Sequence, residues 1–220
     1  MILIHRIIRE AHIGSILDGF LYFAPCNQLV DLLEFRFAYC RDQFELGQDC
    51  FERCIQHSFG DEGVHRRIAE TSISCWTQHP NEMLFTWEVY GKSAPAIRLT
   101  VDSAALDAHV RKHKPSITSS GPVTYHFATS MVRPQFLSPP TQPDSKTDFD
   151  LFFHKHGFFA HESEFRIVVS EKGPLNISFP NQLINSITLS PFGCLATEAV
   201  TSLKKKFGER VRPSAIHLPY

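Results

Sequence analysis

No run of about 18 apolar residues occurs in this 220-residue chain, so no segment is expected to cross a bilayer as a helix. No Gly-rich phosphate loop follows a strand, which leaves neither a Rossmann dinucleotide site nor a nucleoside-triphosphate loop supported. A Gly-x-Ser-x-Gly elbow is also missing, and with it the nucleophile such an elbow presents. Charge of one sign is not in excess: 22 basic residues face 23 acidic ones, a net charge of -1. No overall field would recruit nucleic acid or an anionic membrane. The run Lys204-Lys205-Lys206 reads as the solvated face of a helix.

Cysteine is sparse and scattered, at Cys26, Cys40, Cys50, Cys54, Cys75 and Cys194, with no Cys-x-x-Cys. Cys50 and Cys54 stand one helical turn apart, but no second pair completes a zinc site. All six read as small buried hydrophobes. The opening Met1-Ile2-Leu3-Ile4-His5-Arg6 lacks a charged segment followed by an apolar stretch and a cleavage site, so the cytoplasm is the expected compartment.

A chain of this length buries a proper core as one domain, 1–220, with room for two small lobes. Residues 2–8 read as a first strand, and Glu10 to Leu17 as a helix stopped near Gly19. Phe20 to Phe23 is a short strand ended by Pro25. Leu29 to Phe59 carries apolar positions at helical spacing before Gly60 and Gly63, giving a helical insertion over about 29–70. Strands then dominate, at Ser72 to Thr77, Ala96 to Val101, Val123 to Ala128, Glu164 to Val169 and Ser186 to Leu189. Asp102 and Ser103 are placed to cap a helix from Ala104 to Lys112. A second amphipathic helix, Thr197 to Phe207, closes at Gly208, and Ala215 to Leu218 supplies an edge strand. The Pro-dense stretch over about 133–147 suits neither helix nor sheet interior. The fold class is therefore α+β, a split mixed or antiparallel β-sheet core flanked by helices.

The richest stretch runs from His154 to Val169. From Glu164 onward, β-branched and aromatic residues predict a largely buried strand. Side chains two apart on a strand share a face, so Glu162, Glu164 and Arg166 would project together in one row, with Cα atoms roughly 6.5 Å apart at each step. One reading is an exposed face with ordinary surface ion pairs, worth about 0 to 1 kcal/mol each. The other is a functional carboxylate pair fed by an aromatic, His-rich loop.

His154, His156 and His161 with those glutamates could supply nitrogen and oxygen ligands. They lack the helical His-x-x-x-His spacing that fixes two imidazoles on one side, and no metal is expected. Trp87-x-x-Tyr90 falls on a helical turn, where a spacing of three would stack both rings on one face, as core or as the wall of a flat ligand's pocket.

The order of the pieces carries a resemblance. His5-Arg6, Ser15 to Phe23, Ser74-Cys75-Trp76, Trp87-Glu88-Val89-Tyr90, Val123-Thr124-Tyr125 and the block Lys155, Glu162, Glu164, Arg166 resemble the bacterial family called domain of unknown function 2971 over nearly the whole chain. A weaker likeness, in the first strand, the helix leading to Ile16-Leu17-Asp18-Gly19-Phe20-Leu21 and the late Glu-x-Glu strand, is to the ADP-ribosyltransferase plan. That likeness implies an NAD-dependent transferase or NAD glycohydrolase acting on a macromolecular acceptor, protein or nucleic acid. By the same implication, Glu164 would stabilise the cationic ribose of the transition state and Glu162 would activate the acceptor. Arg6 or His5 would hold the nucleotide, Ser74 or Thr77 would brace the ribose or Glu164, Trp87 or Tyr90 would wall the pocket, and Phe158 and Phe159 would meet the target. The alternative is a non-catalytic binding module in a bacterial defence or toxin-like system.

Overall fold

The computed structural model describes residues 1–28, 53–54, 56–57, 60–114, 118–126 and 150–216. Most of the expected insertion at 29–70 and the Pro-rich loop at 133–147 lie outside the described residues. In chain order the strands are β1 (Leu3–Arg9), β2 (Phe20–Pro25), β3 (Ser72–Thr77), β4 (Ala96–Asp102), β5 (Thr118–Pro122), β6 (Thr124–His126), β7 (His154–His156), β8 (Glu164–Val169), β9 (Leu175–Ser178), β10 (Ile184–Leu189) and β11 (Val211–Arg212). The described α-helices are Ile13–Leu17, Glu62–Ala69, Leu84–Gly91, Ser103–His113 and Thr197–Phe207. The fold is mixed α+β with mainly antiparallel strand pairing. Among the described residues no helix is long and apolar enough to cross a membrane.

The chain divides into two compact units, the first made of Met1–Phe23, Cys75–Ser116 and Asn176–Tyr220, the second of Ala24–Ser74 and Ile117–Leu175.

In the first unit β4 is the central strand. It pairs antiparallel with β1, from Leu3 opposite Asp102 to Arg9 opposite Ala96, and on its other side with β10. β11 runs parallel along β10, and Thr77, at the end of β3, lies opposite His5. Alternation sorts the two faces. Ile4 opposite Val101, Ile8 opposite Ile97 and Leu99 opposite Ile187 form an apolar face, all six buried. Burying each contributes about 1.5–3 kcal/mol. The reverse face carries His5, Ile7, Arg98 and Thr100.

The helix ends obey the local chemistry. Asp102 caps Ser103–His113 by accepting the Ala105 N–H at 2.9 Å. Gly19 (φ 80°) and Gly208 (φ 58°) stand just past the two helices that they terminate, in backbone conformations open to glycine.

In the second unit β8 pairs antiparallel with β5, from Thr118 opposite Val169 to Pro122 opposite Phe165, and β6 pairs parallel with β7. Ala24 and Pro25 lie opposite Ile73 and Ser72. The helix Glu62–Ala69 lies within the expected helical insertion at 29–70 and runs through Gly63, one of the two glycines before which the helical spacing ends. Asp61 accepts the Val64 N–H at 3.0 Å, and that cap outweighs the weak helix propensity of one glycine.

Other elements also depart from expectation. The helix over Glu10 to Leu17 opens as a 3-10 turn at Glu10–His12. Of the strand expected over Val123 to Ala128, Thr124–His126 is seen and 127–128 lie outside the described residues; a separate strand, Thr118–Pro122, precedes it, the two parted at Val123, whose N–H donates to the Glu164 carbonyl. An edge strand is formed by Val211–Arg212; of the strand expected over Ala215 to Leu218, Ala215 and Ile216 are not in a strand, and 217–218 lie outside the described residues. Cys26, Cys75 and Cys194 form no disulfide, with Cys26 buried and Cys194 exposed, whereas Cys54 is disulfide-bonded.

Candidate functional site

In the second unit the Lys155, Glu162, Glu164 and Arg166 side chains form one buried ionic network. β8 begins at Glu164, and the pleat puts Glu164 and Arg166 on the same face. Arg166 is wholly buried. It donates from Nε to Glu164 Oε1 at 2.9 Å and from Nη2 to Oε2 at 2.8 Å, a bidentate fork. Its Nη1 donates to the Phe152 carbonyl at 2.7 Å, tying the turn Asp150–Phe153 to the strand.

The expected row of three ends there. Glu162 is the last residue of a 3-10 turn, Gly157–Glu162, and Ser163 follows in the left-handed region at φ 44° and ψ 54°. That reversal breaks the strand alternation. Glu162 nonetheless reaches the network, because Lys155 Nζ on β7 lies 2.6 Å from Glu162 Oε2 and 3.6 Å from Glu164 Oε2. The same ammonium sits 4.6 Å from the centre of the Phe159 ring. Glu162 is 9% exposed and Glu164 6%, so the exposed-face reading does not describe them.

Among the described residues two cations meet two anions in this network. Tyr125 closes it from β6. Its hydroxyl accepts the Glu164 N–H at 2.9 Å. Burial first, and then the two nearby glutamates, push the phenol up to about 12, against the lowering effect of that hydrogen bond and of Lys155.

Above the network the loop is half open. Phe158 is 81% exposed, while its N–H donates to His156 Nδ1 at 3.1 Å and its ring lies 4.3 Å from the imidazole of His156. Burial lowers the His156 pKa. On the strand face opposite Tyr125 and Lys155, His126 and His154 share a hydrogen bond of 2.6 Å between Nε2 and Nδ1. Among the described residues no group of three or more His, Cys, Asp or Glu side chains is placed to hold a metal ion.

The remaining expected site residues divide between the units. Ser74 belongs to the second unit and is buried. His5, Arg6, Thr77, Trp87 and Tyr90 belong to the first. His5 and Arg6, adjacent on β1, face opposite sides of its sheet. Arg6 donates to the Tyr22 carbonyl at 2.9 Å and lies 6.0 Å from the Trp76 ring, while His5 contacts Thr100. Trp87 is fully buried and donates to Glu82 Oε1 at 2.8 Å, whereas Tyr90 is 41% exposed. The two rings therefore do not share an environment as their spacing suggested. Sequence reasoning gave Lys155 and Tyr125 no role. Their signal was the alternation Thr124-Tyr125-His126 beside His154-Lys155-His156, which turns one phenol and one ammonium to the same side.

Comparison with protein-family models, curated proteins and solved structures finds no match for this chain.

Proposed function

We propose that this protein is a macromolecule-binding module whose contact is the Gly157–Glu162 turn. Phe158, solvent-facing on a turn whose last residue is locked into a buried ionic network, carries the reading. Aromatic side chains are enriched in the cores of interfaces, and a held loop binds with less loss of freedom than a loose one. Lys155 anchors the turn through Glu162, and Arg166 anchors the strand beneath through Glu164. The network acts as the base of the loop rather than as reacting groups.

The electrostatics favour this over chemistry at Glu164. A carboxylate that stabilises a developing cation needs charge to spare, and both oxygens of Glu164 already accept from Arg166. ADP-ribosyl transfer from NAD is the second reading, supported by the convergence of Glu162 and Glu164 on the single ammonium of Lys155. In it, Lys155 would have to leave before Glu164 could face a ribose.

Immobilised wild type and Phe158→Ser, matched for unfolding midpoint, test the first reading against extracts of a bacterial host. A partner held by the wild type and released by the variant supports it. Equal retention by both removes the turn as the contact.

A further inference from the structure

The first unit contains a different anomaly. His5 is 4% exposed, its Nδ1 shares a hydrogen bond of 3.0 Å with Thr100 Oγ1, and its Nε2 is buried without a partner. It is the one side-chain nitrogen or oxygen among the described residues in that condition. Buried polar atoms are paired in the great majority of cases, so an unpaired one marks either strain or a missing companion.

Arg98 stands on the same face. Thr100 lies opposite His5 and Arg98 lies opposite Ile7, so His5 and Arg98 are diagonal neighbours at about 7–8 Å. Arg98 is 8% exposed and donates from Nη2 alone, to the carbonyls of His79 at 3.1 Å and Asn81 at 3.3 Å. No carboxylate among the described residues forms an ion pair with it. Glu82 contributes a raising influence on its pKa, but the Glu82 oxygens are committed to Trp87 Nε1, Ser214 Oγ and the Ala215 N–H. Burial lowers the Arg98 pKa all the same. A guanidinium so placed has the Glu82 charge nearby but no carboxylate in contact with it, which leaves its burial only partly compensated.

A neutral imidazole with one unpaired nitrogen and a guanidinium with no carboxylate in contact, diagonal neighbours on one sheet face, need the same thing. We propose that His5 and Arg98 form an oxyanion-binding site, taking a single carboxylate or phosphoryl group. Thr100 Oγ1–H donates to His5 Nδ1, which sets the tautomer that carries the proton on Nε2. That N–H then donates to one oxygen of the ligand. Arg98 donates to the anion from Nε and Nη1, the geometry for which its fork is suited. His5 enters as a neutral donor, because burial first, then Arg98 and His79, hold its pKa down to about 3. The proposal rests on the first unit alone and stands whether or not the Phe158 turn binds a partner.

The test is the thermal midpoint and calorimetric titration of the full chain with sodium phosphate, sodium acetate and sodium chloride at matched ionic strength. Saturable binding of phosphate or acetate beyond the chloride effect is the expected result, and whichever ion binds names the source as phosphoryl or carboxylate. Arg98→Gln and His5→Phe should each weaken that binding by about 10-fold or more, the loss typical of a charge-assisted hydrogen bond. Should either variant fail to fold, the long-range proton–nitrogen spectrum of the wild-type histidines decides the matter, since His5 Nε2 must shift on titration. Equal effects of all three salts with an unmoved His5 signal, or oxyanion binding undiminished in both variants, would overturn the site.

Discussion

Arg166 grips Glu164 from two residues along the same strand, with both carboxylate oxygens held at 2.9 and 2.8 Å and neither residue reaching solvent appreciably. The pair is local in sequence, and its energetics are set by burial. Charges removed from water gain little net stability together, yet either one left alone is severely penalised.

Arg166→Met should therefore destabilise the chain by about 3–5 kcal/mol, since it takes the bidentate partner from Glu164 and leaves that buried carboxylate beside Glu162 and Lys155. Urea unfolding followed by fluorescence measures it. A loss below about 1 kcal/mol would mean that the network is open to water.

Tyr125→Phe removes the acceptor of the Glu164 N–H and should cost roughly 1–3 kcal/mol. The wild-type phenol gives a second readout. Its pKa is about 12 in the fold against 10.0 unfolded. Its contribution is complete below about 10 and is lost as pH rises towards 12, because the unfolded chain releases that proton first. An absorbance titration at the phenolate band should show one tyrosine fewer ionising near pH 10 in the wild type than after denaturation.

His5 gives the opposite dependence. It titrates at 6.5 when unfolded and at about 3 when folded, so between those values only the unfolded chain takes up the proton. The associated stability is complete above about pH 6.5 and falls as pH drops towards 3. His5→Asn should show a shallower fall of the thermal midpoint between pH 7 and pH 4 than the wild type. Parallel curves would show that His5 is not buried neutral.

Much of the fold was legible because its signals are local. The β-branched run from Glu164 to Val169, the Asp102 cap, and the glycines at 19 and 208 each act within a few residues. The site was less so. The order Glu162-Ser163-Glu164 reads as strand alternation, but Ser163 turns left-handed, and only the three-dimensional position of Lys155 brings the two carboxylates together. Their burial was equally out of reach, since Glu and Arg next to one another in sequence resemble a surface pair until the turn at Phe152 covers them. The His5 and Arg98 relationship depends on strand register across 93 positions of chain, which no local pattern encodes.

The account holds that the Glu162 and Glu164 network is the base of a binding loop and does no chemistry on NAD. The most direct measurement is release of nicotinamide from NAD by the freshly purified full chain, beside Glu164→Gln. No release above the buffer rate by either protein is the predicted result. Steady release by the wild type that disappears in Glu164→Gln would contradict the account and make Glu164 a catalytic residue.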